Sequence, residues 1–202
     1  MSSSSGSKIQ FYTHKMCPFA QRVWIALEAK SLQYDLQEID LYGRKPAWFM
    51  KLNPAGLVPV VKVGDTVVPE SNDIIDFLET CGGQPLVPAT AALDEINDWR
   101  RFLDEELGPA AKAVVLSGGD GSDKESKYYG ALLKMEERLG GGEFLLGKTF
   151  SAADCSFAPF LQRISEHLYV PEEVPKLREY LKSLLSHPAV QATVVEQWWW
   201  WW

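Results

Sequence analysis

The stretch His14–Arg22, HKMCPFAQR, decides how the first part of this chain folds. It places Cys17 between a short alternating run, Ile9–Thr13, and an apolar pattern of helical spacing, Arg22–Lys30. Pro18 directly follows the cysteine, and proline is favoured at the first position of a helix. The sequence therefore predicts that a strand ends just before Cys17 and that a helix begins just after it.

The predicted position of Cys17 favours a reactive thiol. Unpaired N–H groups and the positive end of the helix dipole stabilise a thiolate over a thiol, which lowers the pKa. An unperturbed cysteine, with a pKa of about 8.5, is only slightly ionised at neutral pH. We therefore expect a lowered pKa and a nucleophilic Cys17. The alternative is a buried, inert cysteine, because free cysteines are among the most buried residue types.

The cysteine pattern lacks a partner for Cys17. A dithiol C-x-x-C motif would have its second sulfur at position 20, which is Ala20, so Cys17 must use an external thiol. The other cysteines, Cys81 and Cys155, are far along the chain, and the three fit neither a disulfide framework nor a zinc spacing. The histidines are scattered as well. We therefore expect no metal site and a reducing, cytoplasmic location.

Composition narrows the class of protein. The 202 residues, 46% hydrophobic and 23% charged, are ordinary for a globular protein of one or two domains. The net charge of −7 argues against a nucleic-acid partner, which needs a basic face. No apolar run reaches the roughly 20 residues of a transmembrane segment. Residues 1–7 lack the apolar core of a secretory signal, and we interpret them as a disordered tail.

The first eighty residues mix strands and helices. After the first helix we predict a strand at Tyr34–Ile39, a loop with a helical turn at Lys45–Met50, a hairpin of Val58–Val63 and Thr66–Val68, and a helix capped by Ser71. This β-α-β then β-β-α order is the thioredoxin-like arrangement. In that arrangement a cis-proline faces the active cysteine, and the residue before it presents main-chain groups to a bound thiol peptide. We expect Val58–Pro59 to be that bond.

The second part of the chain indicates helices only. Gly82–Pro88 has the composition of a linker, and a helical stripe follows it, made of Leu93, Ile96, Trp99, Leu103 and Leu107. Gly118–Asp123 and Gly140–Gly142 interrupt the helical pattern, and Ser151–Asp154 forms a capping box. We predict a tail at 1–7, an α/β thioredoxin-like domain at 8–81, a linker at 82–91, an all-α domain at 92–197 and a tryptophan tail at 198–202.

Four local patterns resemble a known family: Cys17–Arg22, Lys45–Phe49, Asn53–Val60 and Pro69–Ser71. Together they are similar to the cytosolic glutathione transferases of the cysteine type, the omega, lambda and dehydroascorbate-reductase group. The resemblance extends from Lys8 to about residue 195, and the capping box matches a helix start in that family's second domain. It implies the glutathione transferase fold and glutathione as the thiol partner of Cys17.

The resemblance also implies a set of glutathione-binding residues: Phe19, Lys45, Val58, Pro59, Glu70 and Ser71. Lys45 would reach the glycyl carboxylate, Val58 would pair through its main chain, and Glu70 with Ser71 would hold the γ-glutamyl end. A carboxylate can accept from an ammonium group, and a serine at a helix N-terminus offers donors to a carboxylate. Without the resemblance, Ser71 is equally a plain N-cap and Lys45 a solvated surface charge.

The implied activity is glutathione-dependent thiol transfer. The Cys17 thiolate would attack a small disulfide, a glutathionylated substrate or dehydroascorbate, and a second glutathione would release the resulting mixed disulfide. The alternatives are conventional conjugation of hydrophobic electrophiles and a non-catalytic carrier of glutathione or aromatic ligands. Trp99 and Arg100 are expected to line the second-substrate pocket. The pattern leaves a monomer and a homodimer both open.

The five tryptophans Trp198–Trp202 have no counterpart in the family pattern. One interpretation is an interfacial membrane anchor, because tryptophan favours the headgroup region. Another is a flap over the substrate cleft. The alternatives are a gene-prediction artefact and a disordered tail.

Overall fold

The computed structural model describes residues 8–89, 93–117 and 123–194. The predicted tail at 1–7, the tryptophan tail at 198–202 and the greater part of the predicted break at 118–123 lie outside these residues. Among the helices that are described, none is long and apolar enough to cross a membrane.

The N-terminal part is a four-stranded sheet with helices. Its elements are β1 (Ile9–Thr13), α1 (Pro18–Ala29), β2 (Tyr34–Glu38), α2 (Ala47–Leu52), β3 (Val60–Val63), β4 (Thr66–Pro69), α3 (Ser71–Leu78) and a 3₁₀ turn at Glu79–Cys81. The strand order is β2-β1-β3-β4, with β2 parallel to β1 and with β3 antiparallel to both β1 and β4. This confirms the thioredoxin-like prediction, and the strand-to-helix transition falls at Cys17 as expected.

The C-terminal part is helical. It contains α4 (Leu93–Phe102), a π-helical segment at Leu103–Leu107, α5 (Gly108–Ser117), α6 (Asp123–Arg138), α7 (Ala152–His167), α8 (Pro175–Ser186) and α9 (Pro188–Gln191). The sequence predicted one regular helix over 93–107, so the π-helical segment is a departure from it. Pro109 has no N–H to donate to the carbonyl of Glu105 four residues earlier, and a local π turn is a common response to such a break.

The two parts share one hydrophobic core. A continuous buried cluster includes Phe11 and Val23 of the sheet side and Trp99 and Phe157 of the helical side. The linker is fixed to this core rather than free: Leu86 is buried, and the Lys30 ammonium binds Glu79 Oε1 at 2.6 Å and the Gln84 carbonyl at 2.9 Å. The α1 helix packs against α7 of the helical part, and near its N-terminus Gln21 contacts Arg163 of α7.

Candidate active site

Cys17 occupies the N-cap position of α1. Its backbone is extended (φ −82°, ψ 116°), and its N–H donates to the His14 carbonyl at 2.9 Å, which closes a tight turn after β1. Pro18 then begins the helix, and the Gln21 N–H donates to the Cys17 carbonyl at 3.0 Å. Within the described part of the chain no side chain caps this helix, so the sulfur itself stands at the helix terminus.

A cavity of about 300 Å³ opens at this sulfur. Its walls are formed by Cys17, Phe19, Leu41, Asn53, Leu57, Val58, Pro59, Pro69, Glu70 and Ser71. Five of the six residues implied to bind glutathione are in this set. Leu41, Asn53, Leu57 and Pro69 were not predicted as site residues, although Asn53 and Pro69 begin two of the patterns that carried the resemblance.

The Val58–Pro59 peptide bond is cis, as predicted. It lies directly before β3 and faces the sulfur: Cys17 Sγ donates to the Val58 carbonyl at 3.8 Å. The side chain of Asn53 donates to the Leu57 carbonyl at 2.9 Å and so braces the loop that carries this bond. The main chain of Val58 thus forms one wall of the cavity, opposite α1.

The Glu70–Ser71 pair forms another wall, at the turn from β4 into α3. Glu70 has a positive φ of 68°, which is uncommon for a residue with a side chain. The structure corrects one detail of the prediction, because Glu70 is the N-cap and Ser71 is the first helical residue. Ser71 is buried, and its Oγ lies 3.5 Å from Nη1 of Arg22.

Lys45 lies beside the cavity rather than in its wall. It precedes α2 and is half-buried against the turn that ends at Gly56, where a Cβ on that glycine would lie 3.1 Å from Lys45 Cδ. Since Gly56 is followed by the cavity residue Leu57, the lysine stands near the edge of the opening.

Trp99 and Arg100 do not line this cavity, and their expected place in a second-substrate pocket stays a prediction. Trp99 is 5% exposed, packs edge-on against Phe157 and lies under the guanidinium of Arg138 at 4.1 Å. Arg100 is buried and forms a two-bonded ion pair with Asp76 at 2.9 and 3.0 Å. Both side chains are taken up by the domain interface, because the apolar face of α4 turns towards the core.

The electrostatic surroundings of Cys17 also depart from expectation. Burial raises the pKa of the Cys17 thiol, whereas the N–H groups of Ala20 and Phe19 and the charges of Arg163 and Arg22 act to lower it. The predicted lowering groups are therefore present, but desolvation by the cavity walls outweighs them. Burial lowers the pKa of Arg163 to about 10, which leaves it charged at neutral pH.

The two arginines were missed by sequence reasoning as site residues. Arg163 lies on α7 and donates to Gln21 Oε1 at 2.9 Å and to the Pro159 carbonyl at 2.6 Å. Gln21 in turn donates to the Thr193 carbonyl at 3.2 Å. In the sequence each arginine directly follows a glutamine beside an apolar stretch of its helix, and this position was the available signal for both residues.

Comparisons with known proteins agree with this geometry. A family model described as "Glutathione S-transferase, N-terminal domain" matches residues 16–81, and one described as "Glutathione S-transferase, C-terminal domain" matches residues 121–183. Glutathione S-transferase DHAR3, chloroplastic, of Arabidopsis thaliana is 29% identical over 187 residues, covering 89% of this chain and 69% of that protein. Probable glutathione S-transferase DHAR1, cytosolic, of Oryza sativa subsp. japonica is 32% identical over 183 residues, covering 84% and 80%.

A solved structure is similar over almost the whole chain. The crystal structure of glutathione transferase Omega 3C from Trametes versicolor matches with a TM-score of 0.84 at 25% identity, covering 96% of this chain and 91% of that one. All three observations point to the same family: the relatives named above, the omega-class structure and the cysteine at the start of α1. The chain therefore belongs to the glutathione S-transferase family, as a member of its cysteine type.

Proposed function

We propose that this protein is a glutathione-dependent thiol transferase whose nucleophile is Cys17. The observation that carries the proposal is the sulfur at the N-terminus of α1, facing the cis Val58–Pro59 bond in a cavity of about 300 Å³. Ala20 stands where a second thiol would resolve a disulfide, and it is fully buried. An external thiol is therefore required for turnover, and glutathione is the thiol used by the family.

Glutathione binding is proposed to use the two polar ends of the cavity. The Val58 main chain would pair with the cysteinyl unit and bring its sulfur towards Cys17. Glu70 would accept from the γ-glutamyl ammonium, and Ser71 with the first N–H groups of α3 would bind the γ-glutamyl carboxylate. Lys45 would bind the glycyl carboxylate at the rim, while Phe19 and Pro59 would bound the tripeptide on its apolar side.

The chemistry is thiol–disulfide exchange in two balanced steps. The Cys17 thiolate attacks the glutathione sulfur of a mixed disulfide, a new S–S bond forms, and the substrate leaves as a thiolate that takes up a proton. A glutathione thiolate then attacks the same sulfur of the protein-bound adduct, which gives glutathione disulfide and regenerates the Cys17 thiolate. With dehydroascorbate, two glutathione molecules supply two electrons and two protons, and ascorbate and glutathione disulfide are the products.

The names of the relatives favour dehydroascorbate among the small oxidised substrates, since two of them are DHAR-type glutathione transferases. The three cysteines are free, which supports a reducing compartment, and we propose the cytoplasm.

The test compares Cys17→Ser with Cys81→Ser in the glutathione-coupled reduction of hydroxyethyl disulfide and of dehydroascorbate. Cys81 is half-buried and lies outside the cavity, so it is the matched control. We expect Cys17→Ser to lose at least ~100-fold in kcat/KM and Cys81→Ser to retain full activity. Unchanged activity of Cys17→Ser contradicts the proposal. A wild-type protein that conjugates chlorodinitrobenzene faster than it reduces either substrate would instead support conventional conjugation.

A further inference from the structure

Arg22 is the most completely buried charged side chain on α1. It lies five residues after Cys17, its residue is 1% exposed, and it bonds across the domain interface. Its Nη2 donates to Asp104 Oδ1 at 2.9 Å and its Nε donates to the Ser156 carbonyl on α7 at 3.1 Å. A buried guanidinium with this set of partners has a fixed orientation, because few other rotamers can satisfy it.

The same guanidinium touches two residues of the cavity wall. Its carbon lies 5.0 Å from the ring centroid of Phe19 and 4.6 Å from that of Phe160, and its Nη1 lies 3.5 Å from Ser71 Oγ. Phe19 and Ser71 come from α1 and α3, whereas Phe160 belongs to α7. One side chain therefore sets the relative position of two cavity walls and of the helical domain.

Asp104, the partner of Arg22, stands in the π-helical segment Leu103–Leu107. Its side chain is 45% exposed, whereas that of Arg22 is 2% exposed. In a π-helical turn the following side chains rotate relative to an α-helix, and such turns occur frequently at functional sites. The π-helical segment therefore supplies the carboxylate that holds Arg22.

We propose that Arg22, held by Asp104 of the π-helical segment, is a positioning residue that fixes Phe19 and Ser71 beside Cys17 and adds a positive charge that favours the Cys17 thiolate. The proposal rests on the assignment of Cys17 as the nucleophile and goes beyond it by naming the charge pair that tunes it. The positive charge of Arg22 attracts a thiolate, whereas the negative charge of Asp104 repels it.

The charged groups around Cys17 come from several elements. Arg22 lies on α1 and Arg163 on α7, and both act to lower the pKa of the thiol. Glu70, in the turn before α3, lines the same cavity and carries the opposite charge. Asp104 partly neutralises Arg22. Loss of the Arg22 charge is therefore expected to slow thiolate formation, and loss of the Asp104 charge is expected to speed it.

A second arginine–aspartate pair gives a matched control. Arg100 and Asp76 also meet at 2.9 Å across the interface, with side chains 6% and 46% exposed, against 2% and 45% for Arg22 and Asp104. Arg100 bonds to no residue of the cavity wall, since its partners are Asp76 and Asn97. The Arg100 charge acts on Arg22 and lowers the pKa of that guanidinium, so the second pair is expected to have the smaller effect on the sulfur rather than none.

The experiment measures the rate of Cys17 alkylation by iodoacetamide from pH 6 to 10, followed by mass spectrometry, with melting temperature recorded for each variant. Relative to wild type at pH 7, we expect Arg22→Met to be about threefold to tenfold slower and Asp104→Asn about twofold faster. Arg22→Lys should restore most of the rate. Arg100→Met and Asp76→Asn should change the Cys17 rate by less than Arg22→Met and Asp104→Asn do, whatever they do to melting.

The proposal is overturned if Arg22→Met and Asp104→Asn change the alkylation rate of Cys17 in the same direction, or if neither changes it. So does a shift in Asp76→Asn as large as that in Asp104→Asn. If Arg22→Met does not fold, Asp104→Asn decides: a faster rate at an unchanged melting temperature supports the proposal, and an unchanged rate, or one that rises only together with a fall in melting temperature, overturns it. The alkylation needs neither glutathione nor turnover, so failure of the proposed transferase activity is a separate result.

Discussion

Two helix N-termini meet the domain interface, and they are built in opposite ways. The α7 helix begins with a capping box in which the fully buried Asp154 carboxylate accepts from Ser151 N at 2.8 Å and Ser151 Oγ at 2.6 Å. It also accepts from Leu145 N and from the Tyr180 hydroxyl, both at 3.0 Å. The α1 helix begins with Cys17, and among the described residues no side chain caps it.

The difference shows that the unpaired N–H groups at a helix start can contribute either to stability or to reactivity. Both helices have N–H groups without intrahelical partners in their first turn. In α7 the Ser151 side chain accepts from the Asp154 N–H, and the Ala152 N–H donates to the Leu86 carbonyl at 2.8 Å, which fixes the segment before the helix. In α1 the N–H groups of Phe19 and Ala20 act on the Cys17 sulfur and favour its thiolate. The first arrangement is a structural anchor, and the second leaves a terminus for chemistry.

The cysteines at these two helix starts, Cys17 in α1 and Cys155 in α7, are expected to differ strongly in reactivity. Burial raises the pKa of both thiols, but Cys155 is completely buried and the neighbouring Asp154 raises its pKa further. Cys17 is partly exposed in its cavity and lies near two arginines that act in the opposite direction. The native protein is therefore expected to react with iodoacetamide at Cys17 at least ~1000-fold faster than at Cys155, because both thiolate fraction and access differ.

Site-resolved mass spectrometry at several pH values checks this. Since its folded pKa is raised, Cys17 should keep gaining reactivity above about pH 8.5, where the free peptide HKMCPFAQR levels off. A thiol whose pKa is higher in the folded than in the unfolded protein stabilises the fold, and this contribution is fully present below the unfolded pKa. Wild type should therefore lose stability relative to Cys17→Ser as pH rises through the folded pKa. Comparable labelling of Cys155 and Cys17 in folded protein would contradict the contrast.

The next effect in size concerns the anchor. Asp154→Ala leaves the donors of Ser151, Leu145 and Tyr180 without their buried acceptor, so we expect a loss of about 3–5 kcal/mol in the free energy of unfolding. Urea denaturation measures it. The control is Asp98→Ala, an exposed carboxylate paired with Arg101 on α4, which should change stability by less than about 1 kcal/mol. Equal losses in the two variants would show that the capping box is not an anchor.

The sequence predicted the parts of this comparison that depend on local patterns. Pro18 after Cys17, Pro59 at a strand start and Ser151 three residues before Asp154 each require only neighbours along the chain. The burial of Trp99 and Arg100 could not be predicted in this way, because which face of α4 meets the core depends on its packing against α7. The predicted direction of the Cys17 pKa shift was wrong for a related reason: burial raises it, and the cavity walls around the sulfur include Leu57 and Val58, some forty residues away in the sequence.

The smallest effect tests whether reactivity at α1 replaces a stabilising cap. Cys17 already has the extended backbone of an N-cap residue, and serine is among the strongly preferred residues there. Cys17→Ser should therefore raise the free energy of unfolding by about 0.5–1 kcal/mol while kcat/KM for thiol transfer falls at least ~100-fold. The reciprocal change, Ser151→Cys, should lower it by about 1 kcal/mol because the Oγ bond to Asp154 is lost. Both are measured by urea denaturation at pH 6, where the thiols are protonated. If Cys17→Ser is less stable than wild type, the sulfur itself contributes to the helix start, and the absence of a cap at α1 is not the reason for its reactivity.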